Sequence, residues 1–174
     1  TRNEQNFPLL EKFGIAPIIF DGDTASPELI DRLAKSTHVV ISISPRDNVD
    51  PSLAIVEEAL RRPGNTIRWI GYLSTVGVYG NFDGNWIDET AQRQPGSQRS
   101  LERVEAEDAW EALSERHGTP VALLRLSGIY GPGRNAFVNL ERGTARRVIK
   151  EDQVFNRIHV DDIAGSLRFL AGTN

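Results

Sequence analysis

Residues 66–81 read TIRWIGYLSTVGVYGN, and the fold turns on this stretch. Ile67, Trp69, Ile70, Tyr72 and Leu73 make a β-rich apolar run that ends abruptly in Ser74-Thr75 and a glycine-punctuated turn. A run that is apolar throughout reads as a strand buried inside a parallel sheet. Its polar stop would deliver two hydroxyls to the C-terminal edge, where open α/β sheets bind their ligands. The same residues fit a second reading, in which the strand simply ends and Ser and Thr bond the backbone of a turn.

The segments on either side choose the architecture. Upstream, 7–13 carries apolar residues at helical spacing and Gly14 closes it. Residues 16–20 (APIIF) read as a short buried strand running into Asp21-Gly22-Asp23. Ser26-Pro27 is an N-cap followed by proline at the first helical position. Residues 38–43 (HVVISI) are the next strand, closed by Ser44-Pro45, and Asp50-Pro51 opens another helix. Downstream, 81–95 is a polar loop and 96–117 the longest helical segment, with Ala106, Ala109, Trp110 and Leu113 on one side and Gly118 after it. Residues 121–126 (VALLRL) are a further strand, followed by a second glycine turn, SGIYGPGRN. Residues 136–150 begin as a helix and then become irregular, 157–160 is a short β-like piece, and Asp161-Asp162 caps a last helix. Strands alternating with helices indicate a parallel sheet with right-handed crossovers. The expected fold class is α/β.

Composition narrows the function. The chain has 174 residues, 39% hydrophobic and 25% charged, enough for one domain with a core. A net charge of −4 argues against nucleic acid as the main partner. The absence of cysteine excludes disulfides, a thiolate nucleophile and thiolate metal sites, and no two of the three histidines have metal-ligand spacing. No apolar run reaches the roughly 20 residues of a membrane helix and no signal peptide is visible, so a cytoplasmic protein without a membrane or metal partner is expected. The chain opens without Met in a loop-like TRNEQN and stops just after an amphipathic segment, as part of a longer protein would.

Taken together and in order, STVGVYG (74–80), LRLSGIYGPGRN (124–135) and RIHVDDIA (157–164) resemble the extended short-chain dehydrogenase/reductase family of NAD(P)-dependent sugar epimerases and dehydratases. The resemblance implies a Rossmann-type, doubly wound parallel sheet in three α/β/α layers, with residues 1–174 an NAD(P)-binding Rossmann-type domain, incomplete, whose end from about 136 leads into the substrate-binding part. The family's first strand, with its glycine-rich pyrophosphate loop, and most of its substrate region have no counterpart here.

Residue by residue, Thr75 stands where that family has the catalytic Ser/Thr that hydrogen-bonds the reacting oxygen, with Tyr79 and Gly80 closing the motif after it. Asp23 matches the acid that contacts the adenine amine, and Ser42 and Ser44 lie where backbone passes the adenosine. The cofactor-choosing position falls on Thr1-Arg2, which suits the 2′-phosphate of NADP and favours it modestly over NAD, the other reading of Arg2 being a solvated terminal charge. The family's Asn before a helix appears as Asp50, and its Asn after the strand Arg falls on Gly128. Ser74, Arg103 and Gly128 complete the expected cofactor contacts.

The departures are as telling. Counting back from Glu107-Asp108, the proton-transfer Tyr and its Lys fall on Arg99 and Arg103. Arg103 could still donate to ribose hydroxyls. Arg99 has no acceptor and cannot exchange a proton as a phenol does. This pattern resembles the atypical, degraded-site branch of the family, in which a proton would come through water, Asp50 or Tyr79. The expected partners are a small-molecule substrate such as a nucleotide sugar, and a second copy of the chain along the 96–117 helix. A non-catalytic NADP-binding sensor or scaffold is the alternative. Arg125, on an apolar strand, needs a carboxylate partner.

Overall fold

The computed structural model describes residues 1–147, 149 and 154–173. Its centre is a parallel sheet of β1 (His38–Ile41), β2 (Trp69–Thr75) and β3 (Val121–Leu126), with β2 in the middle. The register sets Ile41 beside Tyr72 and Thr75 beside Leu126. Successive strand residues face opposite sides. Val39, Ile41, Ile70 and Tyr72 therefore enter one hydrophobic cluster with α2 (Pro27–Ala34), α3 (Pro51–Arg61) and α4 (Gln98–His117). On the opposite side, the ring of Trp69 lies across Gly71, leaving no space there for a side chain. His38 Nε2 meets the Ala171 carbonyl of α6 (Val160–Gly172) at 3.0 Å.

Local chemistry explains the helix ends. Ser26 Oγ accepts from Leu29 N–H, with Pro27 next to it. Asp50 Oδ1 accepts from Ser52 N–H at the start of α3. Ser97 Oγ accepts from Ser100 N–H at the start of α4, and Gly118 ends that helix at φ 66°, a left-handed conformation that glycine adopts without cost. The buried stripe of α4 is Arg103, Ala106, Glu107, Trp110 and Leu113, so two charged residues sit on its core-facing side.

Several expectations change. Residues 16–20 are extended but form no strand of the sheet. Among the described residues their backbone hydrogen bonds go to Thr1, through Phe20 N–H to Thr1 O and the Thr1 amino group to Ile18 O, both 2.9 Å. Helix α1 is short, Phe7–Lys12, and a 3₁₀ turn precedes it. The 38–43 strand stops at Ile41, where Ser42 leaves the ladder. SGIYG is more than a turn: Gly128–Tyr130 forms β4, paired in parallel with β5 (Arg157–His159). A Cβ on Gly128 would lie 3.1 Å from the Asn156 carbonyl and 2.6 Å from the Arg157 guanidinium, which is why glycine stands there. Helix α6 is capped by His159, whose Nδ1 accepts from Asp161 N–H, while Asp161 and Asp162 occupy the first turn and favour its positive end. The helix at 136–150 is α5, only Ala136–Glu141. Val148 and Lys150, at the far end of that stretch, lie outside the described residues.

Candidate functional site

The end of β2 sorts its two hydroxyls to opposite faces. Ser74 is buried and donates to Glu107 Oε1 at 2.5 Å. Glu107 is fully buried and is the hub of a charged cluster. Arg125 reaches it from β3 through Nε (3.2 Å to each oxygen) and Nη2 (2.9 Å), and Arg93 reaches it through Nη1 at 3.3 Å while its Nη2 holds Asp108 at 2.6 Å. The carboxylate thus has partners on both oxygens, the condition under which a buried charge is tolerable. Hydrogen bonding to Glu107 raises the Arg125 pKa further above its ordinary value. The same guanidinium donates from Nη1 to Tyr79 Oη at 2.7 Å and stands 5.0 Å over the Tyr79 ring.

Thr75 remains half-buried, the N-cap of the 3₁₀ turn Val76–Tyr79. Its Oγ accepts from Gly77 N–H at 3.2 Å. One lone pair is engaged, and the hydroxyl proton is left to donate. A Cβ built on Gly77 would be 3.2 Å from Ser100 Oγ and 3.5 Å from Thr75 Oγ, so the first turn of α4 comes close to this hydroxyl.

Arg103 is buried and joins a different set. Nη1 donates to Tyr72 Oη (3.1 Å) and the Leu73 carbonyl (3.0 Å), and Nη2 to Ser44 Oγ (2.7 Å). Burial pushes the Tyr72 phenol up to about 12. Asp50 has both oxygens occupied: Oδ1 caps α3 and Oδ2 accepts from Trp110 Nε1 at 2.8 Å. Trp110 itself is entirely buried.

A cavity of about 890 Å³ opens beside the end of β1, in the size range of roughly 300–1,000 Å³ that small-molecule sites occupy. Arg2, Ser42 and Ser44 line it, so three of the expected cofactor contacts meet at one place, and Ser44 links it to Arg103. Asp23 is exposed on the adjoining turn, its N–H donating to Asp21 Oδ1. Thr75 and Tyr79 are not lining residues, and Gly128 lies on the separate β4–β5 pair. Ser52, another lining residue, has a shielded hydroxyl with no hydrogen-bond partner among the described residues. About half of the lining is apolar, including Ile18, Phe20, Leu29, Leu33, Val39 and Ile41 along edge strand β1, and Ser42, Ser44, Ser52, Arg2 and Arg46 supply much of its polar part. Sequence reasoning missed Arg93, Ser52, Arg46 and the Trp110–Asp50 bond. Only Arg46 carried a signal, as a cation directly following the strand end at Ser44-Pro45.

A parallel sheet wrapped by helices, with hydroxyls and a ligand-sized cavity at the C-terminal end of its strands, defines a Rossmann-type α/β protein. The chain belongs to the NAD dependent epimerase/dehydratase family, whose model matches residues 23–170. It is similar to protein YeeZ of Escherichia coli (strain K12), 32% identical over 118 residues, which are 67% of this chain and 39% of YeeZ. It is also similar to a solved structure of a protein of unknown function from Silicibacter pomeroyi DSS, at 40% identity and TM-score 0.84, covering 99% of this chain and 58% of that one. UDP-glucuronic acid 4-epimerase from Bacillus cereus, solved with NAD and a fluorinated UDP-glucuronic acid, shares the fold at 17% identity and TM-score 0.75, covering 95% and 59%. The chain thus spans less than two thirds of each of these relatives.

Proposed function

We propose that residues 1–174 are the NADP-binding domain, leading from about 136 into a substrate-binding part, of an oxidoreductase of the epimerase/dehydratase kind acting on a nucleotide sugar or related carbonyl or alcohol. The observation that carries this reading is Thr75. Its oxygen is held by Gly77 N–H and its proton is free to polarise a substrate oxygen. The nucleotide sugar bound by the Bacillus cereus epimerase supports the substrate class. Arg2, Asp23, Ser42 and Ser44 would hold the dinucleotide, whose nicotinamide supplies hydride chemistry when bound. Arg103 would support that site through Ser44, Ser74 would support, through Glu107 and Arg125, the turn that carries Thr75 and Tyr79, and Gly128 is kept as a cofactor contact on the resemblance alone.

Proton transfer has to bypass the long helix, because Arg99 offers no acceptor. Of the candidates, Tyr79 accepts from Arg125 and keeps its own proton to give, whereas Asp50 has both oxygens engaged and enters as a positioning group. Losing a dedicated general acid/base costs ~10²–10⁴ in rate, so slow turnover is expected. The test is to mix the protein with NADPH or NADP and a panel of nucleotide sugars and ketones and follow nicotinamide absorbance. Turnover reduced ~10²–10³-fold in Thr75→Val, with the fold intact, is the expected result. Turnover indifferent to that change removes Thr75 from the chemistry.

One observation favours a second reading, a non-catalytic NADP sensor or scaffold. Arg103, at the position of the family's Lys, gives three of its donors to Tyr72, Leu73 and Ser44. Tight NADPH binding with no turnover on any panel member would select it. A cytoplasmic homodimer along α4 belongs to either reading, and a single-chain mass in light scattering would contradict it.

A further inference from the structure

We propose that His159 makes the entry to α6 respond to pH. As its imidazole gains a proton, the cap on the helix gives way to an ion pair with Asp161, while His38 holds the far end of α6 in either charge state. Strand β5 runs directly into this helix, and RIHVDDIA (157–164) carries the junction. His159 is half-buried there. The parallel register sets it beside Tyr130 of β4, whose ring it meets edge-on, with centroids 5.0 Å apart. A Cβ on Gly131 would lie 3.6 Å from His159 Nε2 and 2.7 Å from Val160 Cγ1, so the backbone after β4 closes that side of the ring. The other ring nitrogen faces α6. Nδ1 accepts from Asp161 N–H at 3.3 Å and lies 3.5 Å from Asp161 Oδ2.

Those two contacts belong to different charge states. A ring nitrogen accepts a hydrogen bond only while it lacks a proton, and in the charged imidazole both nitrogens are donors. The neutral ring therefore carries its proton on Nε2 and caps the helix through Nδ1. The charged ring loses the amide and gains the carboxylate. Asp161 is 85% exposed, and an exposed ion pair recovers little. A cation at the positive end of a helix is itself unfavourable, which Asp161 and Asp162 in the first turn offset in part. Among the described residues, the other groups around His159 are Tyr130, Arg157 and Arg134. Arg157, on the same side of β5, turns its guanidinium to the Phe155 ring at 5.1 Å and the Asn156 carbonyl at 3.1 Å. Arg134 pairs with Gly131 through its backbone.

The other end of α6 behaves differently. His38 Nε2 donates to the Ala171 carbonyl at 3.0 Å, and a carbonyl only accepts, so that nitrogen keeps its proton whether the ring is charged or not. Nδ1 meets Thr37 Oγ at 2.9 Å, a hydroxyl that can donate to the neutral ring and accept from the charged one. Around this ring stand Trp69 of β2, 6.1 Å away between centroids, and Arg168 earlier on α6. Positive charge beside the last carbonyls of a helix is favourable. Histidine changes charge between about pH 5 and 8. Acidification through that window thus loosens α6 where it leaves β5 and spares it where it meets β1.

The experiment follows the full chain by proton–nitrogen NMR and amide hydrogen exchange from about pH 8 to 5, in wild type, His159→Asn and Asp161→Asn, with exchange corrected for its intrinsic pH dependence. In wild type the Asp161 amide signal should move in step with the His159 ring. Exchange at 161–164 should quicken about three- to tenfold toward the acid end, with 169–171 unchanged. Asparagine caps helices without titrating, so His159→Asn should flatten both responses. Asp161→Asn removes the replacement partner and should enlarge the acid response. An Asp161 amide indifferent to the His159 titration, or acid quickening that persists in His159→Asn or spreads evenly along α6, overturns the proposal. An acid response no larger in Asp161→Asn overturns the exchange of cap for ion pair.

Discussion

Tyr72 shows how a single residue reports on the site. It is fully buried at the middle of β2, accepting from Arg103, and its phenol is raised to about 12 by burial. An unfolded tyrosine ionises near 10. A group whose folded pKa is raised contributes stability that is complete below the unfolded value and is lost as pH climbs to the folded one. Alkaline unfolding should therefore steepen between about pH 10 and 12, worth roughly 3 kcal/mol across that window. Tyr72→Phe should remove this part of the alkaline loss while costing about 1–3 kcal/mol at neutral pH, since Arg103 Nη1 loses a partner. Denaturant melts at a series of pH values check both, and an unchanged alkaline limb would show that Tyr72 is not the group responsible. Little of this was legible beforehand. The sequence marks Arg125 as a cation needing a partner, but the partners of Arg103 and Arg125 lie 31 residues away at Tyr72, 59 away at Ser44 and 18 away at Glu107, and only the packing of α4 on the sheet brings them together.

At the scale of elements, the parts with local causes were the readable ones. Ser26-Pro27, Asp50-Pro51 and Gly118 mark helix ends by capping chemistry that acts within a few residues, and each stands where expected. Strand β2 announced itself by its apolar run. Of the β4–β5 pair only β5 did, as the short β-like piece expected at 157–160, whereas β4 has three residues beginning with glycine, too short for any period. The same capping logic predicts that Ser97→Ala destabilises the protein by about 1 kcal/mol in thermal or denaturant melts, because Ser97 Oγ serves Ser100 N–H at the head of the longest helix. The loss should also loosen Ser100, which Ser97 Oγ holds at 2.9 Å next to Gly77 and Thr75. A melt identical to wild type would mean that this cap contributes nothing.

The whole molecule joins two sites through one strand-and-helix pair. Helix α4 places Glu107 under Ser74 and, one turn earlier, Arg103 under Tyr72 and Ser44, so the family's long helix keeps its station while its chemistry changes. The cluster around Glu107 fixes the turn that carries Thr75 and Tyr79, and the Arg103 set fixes the end of β1 where the cavity opens. Among the described residues no helix is long and apolar enough to cross a membrane. Cofactor binding is the claim on which both functional readings depend, and calorimetric titration of the protein with NADPH tests it most directly. Saturable binding of one NADPH per chain, displaced by NADP and weakened by salt, is the expected result. A folded protein that takes up neither NADPH nor NADH at any accessible concentration would contradict it.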